Sequence, residues 1–207
     1  MPVWSPPPTL PPCEQPQNVR GTLYGSRLYE QPAHRAVAAR VQAFVASGPP
    51  VGFEIGFDHG MCILDRARNI PSWQWLGAEI RQSRVEAAAP HAPGNCLLLR
   101  ADARALLASV LPEASLSAVY LLFPTPTDNP RHLLLTPAFV QALRRALKPG
   151  GVLWFATDVP AMAGLAEHLL ADWPAAEPPP LGTELSRRER VCKRDKLPVW
   201  RLCKARL

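Results

Sequence analysis

An α/β fold, with helices on both faces of a mostly parallel sheet, is what this chain of 207 residues predicts. Short apolar runs alternate with stretches of helical spacing, at the interval of strand–helix–strand units. The first run ends in a turn flanked by glycines. The second ends in an acidic residue about 20 positions later, a spacing found in nucleotide-binding sheets. At 47% hydrophobic, the chain suits a single domain with a sizeable core.

Seven of the 25 prolines fall within residues 1–16, so residues 1–31 read as a flexible arm unable to bury enough surface to fold. Residues 32–207 then form the domain. "PAHRAVAARVQAFVAS", Pro32 to Ser47, has helical apolar spacing behind an initial proline. The strands follow as "VGFEI" (51–55), "WQWLGAEI" (73–80), "NCLLLRAD" (95–102), "AVYLLF" (118–123) and "GVLWFATD" (151–158). Helices are expected to start near Gly60, Arg81, Asp102 and Thr136, with another after Pro160. A proline cluster, "WPAAEPPPLG" (173–182), separates this body from a basic tail expected to form strands.

The formal charge of +6 resides in that tail. Residues 187–207 hold nine Lys/Arg against two acids, whereas residues 1–186 hold fourteen against fifteen. Such a patch suits a polyanionic partner, or else an edge strand kept from aggregating by its charges. No apolar run approaches the roughly 20 residues of a membrane-spanning helix, and no signal-peptide pattern opens the chain. A cytoplasmic protein is expected. The five cysteines, odd in number and scattered, suggest neither a disulfide framework nor a metal site.

Chemistry is sought at the carboxyl ends of the strands. "FEIGFDHG" places Gly56 and Gly60 around a tight turn, with Glu54 at the strand end, and the second strand ends at Glu79. The turn fits a nucleotide or S-adenosylmethionine site, or a purely structural bend; Glu79 would bond ribose hydroxyls. Asp102, ahead of a helix, suits an N-cap, an adenine contact, or both.

In order and spacing, "EIGF", "LGAEI", "ADA", "SLSAVYLLFPTP", "RH", "LKPGG" and "ATD" resemble the tRNA (guanine-N7) methyltransferase family. The resemblance implies a Rossmann-like class I methyltransferase with a seven-stranded sheet and S-adenosylmethionine as cofactor. It places Glu54, Gly56, Asp58, Gly60, Glu79, Asp102, Ala103 and Phe123 around that cofactor, and Pro124, Thr125, Arg131 and Ser186 on the acceptor side. Asp158 becomes the first candidate for stabilising charge on the methylated ring. Thr157 would position it, Glu189 would close the site, and His132 would orient the acceptor or simply bond a backbone carbonyl.

The match is eroded where it is most specific. The family typically reads F-P-D-P-W-P-K-K-R-H where this chain has "FPTPTDNPRH". An aspartate has become Thr125, a tryptophan Thr127, and a lysine pair Asn129 and Pro130. The family's second turn glycine is Asp58, and its T-x-x-E segment appears as "SRRE", Ser186 to Glu189. Lost lysines weaken the salt-dependent part of RNA binding. The expected acceptor is therefore guanine N7 in tRNA, with a small nitrogen heterocycle or a noncatalytic RNA-binding role as alternatives. No metal or membrane partner is expected, and the oligomeric state is open.

Overall fold

Strands that lie inside a sheet covered on both faces must be apolar on both sides, and the central run satisfies this. In the computed structural model, which describes residues 32–127 and 133–207, β1 (Val51–Ile55) is buried at every position. It pairs in parallel with β2 (Gln74–Glu79) on one side and β4 (Leu116–Leu122) on the other. With β3 (Cys96–Arg100), β5 (Leu147–Thr157) and β6 (Trp200–Ala205), the sheet order is β3-β2-β1-β4-β5-β6. Only the β5–β6 pair is antiparallel.

Alternation along the strands divides the core. One face buries Phe53, Leu76, Leu99, Val119 and Phe155. Against it pack α1 (Pro32–Val45), α4 (Ala103–Ala105, continuing as a π-helical turn, Leu106–Val110), α5 (Pro137–Ala146) and α6 (Pro160–Leu169). The other face buries Trp75, Leu98 and Tyr120 under α2 (Met61–Asn69) and α3 (Gln82–Ala88). Gly52 is required there: a β-carbon would lie 2.7 Å from the Trp75 ring.

Two expectations are corrected. The described sheet has six strands, not seven. Beyond β6 a single antiparallel bridge, Ala175 to Lys204, marks the place of a further strand. The N–H groups of Ala176 and Ala205 bond the carbonyls of Cys203 and Pro174. Pro174 and Pro178–Pro180 have no N–H to extend the ladder, so pairing stops at one bridge. The basic tail is likewise not all strand: α7 occupies Arg187–Asp195. Ser186 caps it by accepting the Glu189 N–H at 3.1 Å, and a serine three residues before a glutamate is the sequence signature of such a start.

Among the described residues no helix is long and apolar enough to cross a membrane, and no group of His, Cys, Asp and Glu could hold a metal. Cys62, Cys96, Cys192 and Cys203 are free thiols. Cys13 and the proline-rich arm lie outside the described residues.

Candidate functional site

The strand order reverses between β1 and β4, the place where parallel sheets open a crevice for ligands. A cavity of about 890 Å³ lies there, lined from the carboxyl ends of β1, β2, β3 and β4 and closed on one side by Ser186, Arg187, Arg188 and Val191. That size is ample for a nucleoside-sized ligand and part of an acceptor.

Sharp backbone turns form its floor. Gly56, Asp58 and Gly60 all have positive φ, at 72°, 49° and 80°. A β-carbon on Gly56 would meet nothing within 4 Å, so the glycine leaves open space at the cavity wall. Asp58 takes the left-handed conformation where the resembled family has glycine, which aspartate tolerates better than most residues. Its N–H donates to Glu79 Oε2 at 3.2 Å, and its carboxylate pairs with Arg81 and Arg84 at 3.3 and 3.2 Å.

Each carboxylate expected to face an adenosine ligand carries its own guanidinium. Glu79, 3% exposed, accepts from the backbone and side chain of Arg81. Asp102 caps α4 through the Arg104 N–H at 2.9 Å and also pairs with the Arg104 side chain at 2.7 Å. Its capping role is thus present, at the same position that lines the cavity next to Ala103. The Glu-x-Arg and Asp-x-Arg spacing of these pairs was visible in the sequence, but their arginines were not singled out.

Glu54 lies deeper. It is buried against Arg66 of α2, whose guanidinium stands over the rings of Tyr120 and Trp75 at 4.2 and 5.3 Å. Burial pushes the Glu54 carboxyl above the usual carboxylate range and Arg66 opposes the rise.

On the far side, Phe123, Pro124 and Thr125 line the cavity. Phe123 follows β4 with φ 48°, an uncommon conformation for an aromatic residue, held by its N–H bonding the Ala156 carbonyl at 2.7 Å. Arg131 and His132 lie outside the described residues. Thr157 is fully buried at the end of β5, and its hydroxyl accepts the Val159 N–H at 3.2 Å, bracing the turn that carries Asp158. Neither Thr157 nor Asp158 is a lining residue; Asp158 accepts from Nε of Arg188 at 2.9 Å, and Arg188 does line the cavity. The Arg188 hydrogen bond holds the Asp158 carboxyl below the usual range, against the effect of burial. Glu189 pairs with Arg201, while Arg187 makes no ion pair among the described residues.

A family model described as "Putative methyltransferase" (Methyltransf_4) matches residues 49–186. A tRNA (guanine-N(7)-)-methyltransferase of Shewanella amazonensis is 36% identical over 130 residues, covering 59% of this chain and 53% of that protein. Its counterpart in Alkalilimnicola ehrlichii is 37% identical over 145 residues, covering 66% and 59%. The chain therefore spans a little over half the length of these relatives. Among solved structures, the 16S rRNA methyltransferase KamB superposes with a TM-score of 0.58 at 20% identity, covering 88% of this chain and 94% of that one. At that identity the likeness is one of fold.

Proposed function

The chain belongs to the "Putative methyltransferase" family, and on that premise we propose that it is a cytoplasmic S-adenosylmethionine-dependent N-methyltransferase acting on guanine N7 in tRNA. The observation carrying this reading is one cavity with two kinds of wall. Carboxylates and a glycine turn stand on the β1–β3 side, and the β4 loop with α7 stands on the other.

The cofactor would supply a methyl group on a sulfonium. The donor set suits it: Glu79 and Asp102 offer acceptors for ribose and adenine donors, and Gly56 leaves room for close backbone approach. Transfer is an in-line displacement, so holding the acceptor lone pair in line is the main catalytic task. Guanine N7 carries such a pair and needs no strong base. The purine gains positive charge as the methyl arrives, and Asp158 is the carboxylate assigned to stabilise it. Thr157 holds Asp158 in place, Glu189 closes the acceptor side, and His132 orients the ring.

Glu79→Ala is expected to weaken S-adenosylmethionine binding about 10- to 100-fold in a calorimetric titration, since it removes a charged acceptor and the support of the Asp58 turn. Unchanged affinity would remove Glu79 from the ribose role.

The decisive experiment is transfer of labelled methyl to unmodified tRNA, read by nucleoside analysis across a salt series. The expected product is 7-methylguanosine, formed at a rate that drops steeply with salt as phosphate contacts are screened. Thr125 and Thr127 line the cavity in place of the family's aspartate and tryptophan, which favours a second reading, a small nitrogen heterocycle as acceptor. In that case tRNA stays unmodified and transfer to the heterocycle is nearly independent of salt. Retention of RNA without cofactor affinity would instead mark a noncatalytic binding module.

A further inference from the structure

The segment that delivers Ser186 and α7 to the cavity crosses α2 on the way, and there it is held by an unusual number of polar contacts. Asp65 accepts the Thr183 N–H at 2.7 Å, the Thr183 hydroxyl at 2.9 Å and the Glu184 N–H at 3.2 Å. Next to it, Arg66 donates to the Leu181 carbonyl and Tyr120 to the Pro180 carbonyl at 2.7 Å. The Cys62 thiol donates to the Glu184 carbonyl at 3.4 Å. Gly182 has φ 73°, and a β-carbon there would lie 2.4 Å from Asp65 Oδ2, so only glycine lets the segment approach this closely.

The α2 partners are more than a hundred residues from theirs in sequence, yet they join the two sides of the cavity. Residues 61 and 62 of α2 line it, as does Glu54, which is paired with Arg66 beneath α2, and Ser186, Arg187, Arg188 and Val191 line it from the other side. Leu181 to Glu184 are exposed and α7 buries only Cys192, so polar contacts hold this stretch: those to α2 at its entry, and the pairs Arg188–Asp158 and Glu189–Arg201 along α7. We infer that Asp65 is a positioning residue, the centre of a latch between α2 and residues 180–184 that holds α7 against the cavity. Three of its acceptor contacts reach residues 183 and 184, so its loss loosens the entry to α7 while leaving the Arg188 and Glu189 ion pairs, the glycine turn, Glu79 and Asp102 in place.

Two thiols report on the latch without any reaction being catalysed. Cys62 lies under it and Cys192 lies on α7, both buried, whereas Cys96 at the start of β3 belongs to neither. Burial pushes the Cys62 and Cys96 thiols alike up to about 12, and the Asp65 charge adds to the rise at Cys62 but not at Cys192, so faster labelling of Cys192 is the readout of local opening.

The experiment compares the full chain with Asp65→Ala and Asp65→Asn by iodoacetamide alkylation, resolved by peptide mass. In Asp65→Ala, Cys62 and Cys192 are expected to label about tenfold faster with Cys96 unchanged, and Asp65→Asn, keeping one acceptor oxygen, to fall between. Unchanged labelling of Cys62 and Cys192 overturns the latch, and faster labelling of all three shows general loosening and overturns it equally. A second arm rests on the tRNA reading: in Asp65→Ala, KM for tRNA is expected to rise about tenfold with S-adenosylmethionine affinity within about twofold. Unaltered tRNA kinetics in a variant that does label faster overturn the positioning role. If the unsubstituted protein transfers no methyl group, the tRNA reading fails and the alkylation pattern alone decides the latch.

Discussion

Asp158→Ala is expected to lower methyl transfer about 100-fold or more while leaving S-adenosylmethionine affinity within about twofold, because the carboxylate acts on charge that develops only on the acceptor. The side chain is well placed to be rigid: Thr157 braces its turn, and Arg188 fixes one carboxylate oxygen. That ion pair defines a cost as well, since the acceptor has to share Asp158 with a guanidinium half exposed at the cavity edge. Arg188→Ala should therefore change KM for the acceptor more than kcat. The pH dependence follows from the lowered carboxyl: Asp158 stays ionised across neutral and alkaline pH, and its contribution is lost only as pH falls through its depressed native value. Single-turnover kinetics with calorimetry on the same variant check both halves. Parallel loss of transfer and of cofactor affinity would place Asp158 in the cofactor pocket.

The second large effect is on stability. Arg66→Ala is expected to cost about 3–5 kcal/mol in urea unfolding, because it leaves Glu54 charged and unpaired beneath α2. It also removes a guanidinium packed over two aromatic rings. The variant should carry a distinctive pH signature. Glu54 already has a raised carboxyl through burial, and without Arg66 nothing opposes that rise. A carboxyl raised in the folded state takes up a proton more readily there than in the unfolded chain. Stability of Arg66→Ala therefore falls as pH rises through that window and recovers on mild acidification. Adding Glu54→Gln should restore part of the loss at neutral pH. Equal stability of Arg66→Ala and the unsubstituted protein would show that Glu54 finds another partner.

Much of the sheet could be read in advance. β1 spans the expected residues 51–55, and the other parallel strands end within one or two residues of expectation on the side where the cavity lies. Strands buried between two helical layers announce themselves as short apolar runs, and their carboxyl ends bring Glu54, Gly56, Asp58, Glu79 and Asp102 around one cavity. The positive φ of Asp58 was foreshadowed by the residue type itself.

The C-terminal third was less legible, for two different reasons. α7 carries a capping signal in Ser186 and Glu189, but its charge and its meagre apolar content hide any helical stripe, so it read as strand. The latch offers no local signal at all. Asp65 and Arg66 look like the polar positions of an ordinary helix, and their latch partners arrive only with the return of the chain 115–119 residues later. Arg188 likewise reaches across to Asp158 from a segment that the sequence marks only as basic.

Gly182 sets a limit on how this chain can drift. Its neighbour Leu181 is exposed and can vary in side chain so long as its carbonyl keeps its bond to Arg66. Position 182 has no such freedom, since every other residue brings a β-carbon into the Asp65 carboxylate on a backbone that already disfavours side chains. Descendants of this sequence that retain Asp65 are bound to retain Gly182, and loss of Asp65 alone does not free the position, because the positive φ and the Arg66 side chain 2.9 Å from a β-carbon remain.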